Sequence, residues 1–285
     1  MPRRTVASII ATTAALAGIM LTAPDPTIAA RDSVGALRIV VVGDSVPFAA
    51  FCPGCTGFVD QYAHELEARL ARPVEIANRS RDDSAGLLEI RTHVTRDASL
   101  RAEIAAADVV ILSVGFNNAL PDPTTGFGCR GSIGTTVEGY IAWALRAKTT
   151  CLRAGVVAYA KVYAGILATI TKVRAGKPGL LVALNVYDAN LGNSDFLAAN
   201  VSRPKLQKLG RWIVRAYDRW NAMTCREAKG HGVACVDLYH AFNGPTGKLP
   251  LAGTGLLVDG AHPSQAGNDR IAALLAQLDT AAVIP

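Results

Sequence analysis

The chain has 285 residues, of which 50% are hydrophobic and 18% charged, with 29 basic against 23 acidic side chains and a net charge of +6. Apolar content of this order over this length fills a core, which excludes a disordered tail, a collagen-like repeat and a small disulfide knot. One large domain is expected, and a chain of this size folds without needing metals or cross-links to do so.

Arg3 and Arg4 precede a nearly uninterrupted apolar run over residues 6–21, followed by Pro24, Asp25, Pro26 and the small residues Ala29 and Ala30. Basic, apolar and small-residue segments in that order read as an export signal over residues 1–30, leaving one domain over 31–285. The run falls short of the ~20 residues that span a bilayer, and the prolines end any helix behind it. A retained membrane anchor is the alternative. Later apolar runs are short or interrupted by charges, so none reads as a further span. Loss of Arg3, Arg4 and Asp25 with the signal leaves a mild positive excess, suited to peripheral contact with anionic envelope polymers or lipid head groups. No basic nucleic-acid motif accompanies it, so no nucleic-acid partner is expected, and the protein is read as a monomer.

Past the signal, short apolar runs alternate with amphipathic ones. Runs at 37–42, 74–77, 109–114, 180–186 and 233–238 have the continuous β-branched and leucine character of strands buried on both faces. Helical periodicity occupies 59–70, 100–106, 137–148, 154–173, 206–223 and 265–278. In the fifth of these, Leu206, Leu209, Ile213, Tyr217 and Trp220 form one face, while Lys205, Lys208, Arg211, Arg215 and Arg219 form a basic stripe read as a solvated surface. Residues 121–136, rich in Gly, Pro, Ser and Thr, read as a loop anchored at Cys129. Alternating strands and helices predict a three-layer α/β/α sandwich around a five-stranded parallel sheet. Ligands in such sheets bind at the carboxyl ends of the strands.

The six cysteines, at 52, 55, 129, 151, 225 and 235, are an even number in a chain read as exported, which favours three disulfides. Sequence neighbours pair Cys52 with Cys55, Cys129 with Cys151, and Cys225 with Cys235. Cys52-Pro53-Gly54-Cys55 has redox spacing, but no thioredoxin-like unit surrounds it. No Cys/His grouping has zinc spacing, so neither metal nor other cofactor is expected.

The first strand runs straight into Gly43-Asp44-Ser45, which delivers a serine to a strand end beside a glycine that lets the backbone turn. Near the carboxyl terminus, Asp259 precedes His262 by three residues, a spacing that lets the carboxylate hold Nδ1 while Nε2 faces a nucleophile. Asp237 and His240 have the same spacing and are the rival pair. The helix start at Pro263 and Ser264, and the loop setting, favour His262. After the third strand, Asn117 in Gly115-Phe116-Asn117-Asn118 is placed to donate to a developing oxyanion. Phe48, Phe51, Phe58, Phe116 and Phe127 are candidate walls of an acyl pocket, and fit a place in the core equally well.

These blocks, in this order and at strand ends, resemble the SGNH or GDSL-type hydrolase family, over residues 43–263. The resemblance implies Ser45 as nucleophile, His262 as general base, Asp259 as its orienting acid, and an oxyanion hole from the Ser45 N–H, Asn117 and one further N–H. The three sequential disulfides are similar to those of secreted actinobacterial members. Two features depart from the family. Asn118 stands where an aspartate is usual, and the block around Asn78–Gly86 is blurred, which leaves Gly86 or Asp83 as the third donor, with Gly86 preferred. The α/β-hydrolase elbow, Gly-x-Ser-x-Gly, is not met, since Val46 and Pro47 follow Ser45. The resemblance implies a secreted serine esterase or lipase acting through an acyl-enzyme on lipid, polysaccharide or small-molecule esters. A carbohydrate O-acetyl esterase or an acyltransferase of the envelope uses the same chemistry. A non-catalytic envelope-binding protein on the same fold is the alternative from another class.

Overall fold

The computed structural model describes residues 35–49, 51–82, 85–121, 136–147 and 149–280. Two units divide the chain, 1–34 and 35–285, and every described residue lies in the second. The expected signal segment, Asp83, Phe127 and Cys129 fall outside the described residues.

Five strands, β1 (Leu37–Gly43), β2 (Val74–Asn78), β3 (Val109–Ser113), β4 (Leu180–Leu184) and β5 (Ala234–Val236), form one parallel sheet in the order β2-β1-β3-β4-β5. The expected five-stranded parallel sheet is present. Every residue of β3 is buried, as are all but Arg38 in β1, because helices cover both faces. Side-chain alternation divides the strands between two cores. Val40, Val42, Val110 and Leu112 point into one core with Ile90, Tyr163, Ile166 and Trp220. Ile39, Val41, Val109 and Ile111 point into the other with Phe58, Tyr62, Leu66, Ile271 and Leu275.

The first core is covered by α3 (Leu87–Arg96), α4 (Ala98–Ala106), α5 (Val137–Arg146), α6 (Thr149–Arg174) and α8 (Arg203–Gly230). The second is covered by α2 (Phe58–Leu70), α9 (Leu238–Asn243) and α10 (Gln265–Ala276). Two short helices, α1 (Ser45–Phe48) and α7 (Ser194–Ala198), lie in the loops after β1 and β4. Residues 150–174 in α6 are long and apolar enough to cross a membrane by composition, and their Tyr163, Ile166 and Leu167 are buried in the first core. On α8, Pro204 sits in the first turn, where its missing N–H costs nothing, and Lys205, Lys208, Arg211 and Arg215 are exposed as a solvated face.

The runs read as strands at 180–186 and 233–238 are shorter in the structure. β5 ends at Val236 because the next residue, Asp237, caps α9 by accepting from the His240 N–H at 3.1 Å. Only β4 residues 182–184 then have a partner on that side. Disulfides join Cys52 to Cys55, and Cys225 on α8 to Cys235 on β5. Cys151 is also disulfide-bonded, and its expected partner Cys129 lies outside the described residues.

Candidate active site

The chain leaves β1 for β2 on one side and returns to β3 on the other, so the strand order reverses between β1 and β3, and the carboxyl ends at such a switch point are where ligands of open parallel sheets bind. Ser45 follows β1 there, and Asn117 follows β3. Two glycines allow this close approach. A Cβ on Gly43 would run into the Pro47 ring and, at 2.7 Å, the Ser113 carbonyl oxygen. Gly115 has φ +121°, and a Cβ there would lie 2.9 Å from the Trp220 ring.

Asp44 locks the two strand ends together. Its side chain is fully buried; Oδ1 accepts from the Val46 N–H at 3.3 Å, while Oδ2 accepts from the N–H groups of Gly115 and Phe116 at 3.1 and 3.2 Å. The serine turn and the asparagine turn are therefore held by one carboxyl group. Asn78, at the end of β2, adds a third tie by donating to the Pro47 carbonyl at 2.7 Å. Sequence reasoning assigns no role to Asp44 or Asn78; the visible signal is a polar residue at the carboxyl end of each strand.

The other half of the site is a tight loop. Val258 N–H donates to His262 O at 2.9 Å, Leu257 bridges to Pro263, and Gly260 turns the chain at φ +82°. Asp259 Oδ1 accepts from the N–H groups of Ala261 and His262 at 2.9 and 2.7 Å, leaving Oδ2 at 2.6 Å from His262 Nδ1. His262 Nε2 in turn lies 3.0 Å from Ser45 Oγ. From beneath, Tyr187 donates to the Ala261 carbonyl at 2.7 Å and ties the loop to the end of β4. Partial burial alone would raise the Asp259 pKa, but hydrogen bonds from the His262 N–H, the imidazole and the Ala261 N–H outweigh it and hold the carboxyl below its ordinary value.

The rival pair is a local copy of this arrangement. His240 Nδ1 lies 2.6 Å from Asp237 Oδ2, and the His240 N–H donates to Asp237 Oδ1. Ser45 faces the other histidine, so the third member of the group separates the two pairs, not the spacing.

Asn117 uses one amide proton on the Ala85 carbonyl at 3.0 Å, which leaves its second for a ligand. Gly86 is placed differently from the expectation that it offers its N–H to substrate: that N–H donates to Glu89 Oε2 at 3.1 Å, at the start of α3. The departure at Asn118 costs the loop no support. Its Oδ1 accepts from the Leu87 N–H at 2.8 Å, as an aspartate would, and its Nδ2 donates to Tyr159 Oη at 3.2 Å. Of the aromatic residues read as pocket walls, Phe58 is fully buried in the second core and Phe116 packs on Tyr187, while Phe48 and Phe51 are exposed. Among the described residues, no three His, Cys, Asp or Glu side chains gather as a metal site. A groove of about 770 Å³ between α7, α8 and residues 190–192 is lined by none of Ser45, Asp259 and His262.

Two buried carboxyls make stability depend on pH. Burial raises Asp44 to about 7 despite its three backbone donors, and burial raises Asp188 to about 7 against the N–H groups of Asn190 and Leu191. A carboxyl whose folded pKa lies above the unfolded value of 3.8 contributes stability that is full below 3.8 and is lost as pH rises through about 7. The thermal unfolding midpoint is therefore expected to fall between pH 4 and pH 7. Asp188→Asn keeps the Oδ1 acceptor and replaces Oδ2, which is buried with no hydrogen-bond partner. That variant should show a shallower decline over the same window; an unchanged slope in a pH series of melting curves refutes the assignment.

The sequence model of the GDSL-like lipase/acylhydrolase family matches residues 41–270. No curated protein matches the chain in sequence. Among solved structures, the lipase Lip_vut3 from a goat rumen metagenome superposes with a TM-score of 0.58 at 17% identity, covering 85% of this chain and 98% of that one. A catalytic mutant of Axe2, an acetylxylan esterase from Geobacillus stearothermophilus, gives 0.53 at 14% identity, covering 87% and 97%. LAE5, an alpha/beta hydrolase enzyme from the metagenome of Lake Arreo in Spain, gives 0.50 at 18% identity, covering 86% and 98%. At these identities the structural likeness is one of fold. The family match spans most of the chain, from the first strand to the last helix, and on it the protein belongs to the GDSL-like lipase/acylhydrolase family and is a serine hydrolase acting on carboxylic esters.

Proposed function

We propose that the protein is a secreted esterase or lipase that works through an acyl-enzyme on Ser45, with His262 as general base and Asp259 as its orienting acid. The observation that carries this reading is the continuous line from Asp259 Oδ2 to His262 Nδ1 at 2.6 Å and from Nε2 to Ser45 Oγ at 3.0 Å. Asp259 accepts the Nδ1 proton, which fixes the tautomer in which Nε2 carries a lone pair. Nε2 takes the Ser45 proton as Oγ attacks the ester carbonyl, and the imidazolium then protonates the leaving alcohol. Water, deprotonated by the same Nε2, attacks the acyl carbonyl, and the imidazolium returns the proton to Ser45 Oγ as the carboxylic acid leaves. The Ser45 N–H and the free Asn117 amide proton receive the oxyanion of both tetrahedral intermediates. Gly86 enters this scheme only if Glu89 releases its N–H, and it is given no part in it.

Export is supported by the order of basic, apolar and small residues over 1–30, and by the Cys52–Cys55 and Cys225–Cys235 disulfides, a chemistry that persists in oxidising compartments.

Labelling with a fluorophosphonate tests the nucleophile: the wild-type protein should be modified at Ser45, located by mass spectrometry of the peptides, and modification elsewhere or none at all overturns the reading. Asn117→Ala should lower kcat by about a hundredfold or more, with KM for the same ester little changed. An equal kcat in that variant removes Asn117 from the oxyanion hole.

A further inference from the structure

The segment between α1 and α2 takes no part in the chemistry just described, yet it reaches the site. The Phe51 ring lies flat on the His262 imidazole, with centroids 3.8 Å apart and planes within 8° of parallel. Phe51 is 38% exposed, so burial in a core is not what fixes it. Two other restraints do. The Cys52–Cys55 disulfide closes the turn that begins at the next residue, and inside that turn the Cys55 N–H donates to Cys52 O at 3.0 Å. Beyond it, the Thr56 N–H donates to Gln265 Oε1 at 2.9 Å and the Phe58 N–H to Asn268 Oδ1 at 3.1 Å. Gln265 and Asn268 stand in the first turn of α10, which begins three residues after His262. The loop that carries Phe51 and the loop that carries His262 are therefore braced against the same helix end.

We propose that Phe51, held in place by the Cys52–Cys55 disulfide, is a positioning residue for His262. The inference rests on the reading of Ser45, His262 and Asp259 as the reacting group. A hydrogen bond from Nδ1 to Asp259 fixes one point of the imidazole but not its plane; rocking about that bond swings Nε2 away from Ser45 Oγ. A flat ring at van der Waals distance blocks the rocking motion and covers that face against water, which would otherwise compete for Nε2. Misplacement of a reacting atom by about 1 Å costs about a hundredfold in rate, so a restraint of this kind acts on kcat. It also gives the Cys52-Pro53-Gly54-Cys55 sequence a use other than redox exchange: the disulfide is a static clamp on the residue before it.

The test uses an aryl acetate, whose small acyl group makes little contact beyond the reacting carbonyl. Phe51→Ala should lower kcat by about ten- to a hundredfold and leave KM within about twofold. Phe51→Tyr, which keeps a flat ring, should restore kcat to near the wild-type value, whereas Phe51→Leu, apolar but not flat, should not. The pair Cys52→Ser and Cys55→Ser should lower kcat in the wild-type background and add nothing to Phe51→Ala, because both changes act through one contact. Wild-type kcat in Phe51→Ala, a rise in KM alone, or full rescue by Phe51→Leu overturns the proposal. Fluorophosphonate labelling separates this failure from that of the underlying reading: if Ser45 is labelled in the wild-type protein but Phe51 variants react at the wild-type rate, only the positioning role is lost, and if Ser45 is never labelled, both fall.

Discussion

Ser45→Ala is expected to lower kcat for an aryl acyl ester by about a millionfold, while the thermal unfolding midpoint moves by no more than about 2 °C. The size of the loss follows from the single route the geometry offers. Ser45 Oγ is the atom that His262 Nε2 faces at 3.0 Å, and without it the proposed base has no hydroxyl to deprotonate. In the proposed mechanism what survives is stabilisation of the oxyanion by the Ser45 N–H and Asn117, enough for a residual rate over water but not for turnover. The fold is spared because nothing structural hangs on the hydroxyl. Asp44 joins the two strand ends through backbone N–H groups of Val46, Gly115 and Phe116, and all three bonds remain when the side chain at 45 is alanine. Steady-state kinetics beside a melting curve checks both halves. Retention of most activity refutes Ser45 as nucleophile; a collapse of the midpoint assigns the loss to folding instead.

The central strands β1, β3 and β4 are legible because they are buried on both faces and read as near-continuous apolar runs, whereas β2, read in the same way, lies at the sheet edge with Glu75, Ile76 and Asn78 exposed. Legibility failed where an element is completed from far away in sequence. At the start of α3 Glu89 takes the N–H of the N-cap Gly86, but the Leu87 N–H is satisfied by Asn118, thirty-one residues on, and no local window contains that acceptor. At 233–238 the apolar run continues across two different elements, and the boundary is set by Asp237 turning back to cap α9.

The site divides in the same way. Gly43-Asp44-Ser45 and Asp259–His262 are short-range patterns and could be read directly. The work of Asp44 could not, because its bonds to Gly115 and Phe116 span 71 and 72 residues. The Phe51–His262 stack joins opposite ends of the domain and is likewise invisible in sequence; Phe51 reads as a candidate pocket wall or equally as core, together with Phe58, which the structure places in the core. Counting along the block from Asn78 points to Asp83, and Gly86 is preferred as the only glycine there; neither argument reveals that Glu89 folds back onto the Gly86 N–H.

The two Asp-x-x-His pairs are the sharpest case, since both carry a 2.6 Å Nδ1–Oδ2 contact, and they lend themselves to a paired experiment. Asp259→Asn is expected to lower kcat by about 10⁴-fold with little change in stability. Asparagine retains the Oδ1 acceptor for the N–H groups of Ala261 and His262, so the loop keeps its shape. The amide nitrogen that replaces Oδ2, however, presents protons to Nδ1. The imidazole then takes the tautomer in which Nδ1 accepts and Nε2 carries the proton, and a protonated Nε2 has no lone pair with which to remove the Ser45 proton. Asp237→Asn makes the same exchange beside His240 and likewise retains its Oδ1, which accepts from Asn185 Nδ2 and the His240 N–H. Because His240 has no place in the proposed reaction, kcat in that variant should stay within about twofold of wild type, as for a surface change away from the site. Measured side by side on one ester, a large loss in Asp259→Asn alone supports His262 as the base, whereas a large loss in Asp237→Asn with Asp259→Asn near wild type transfers that role to His240.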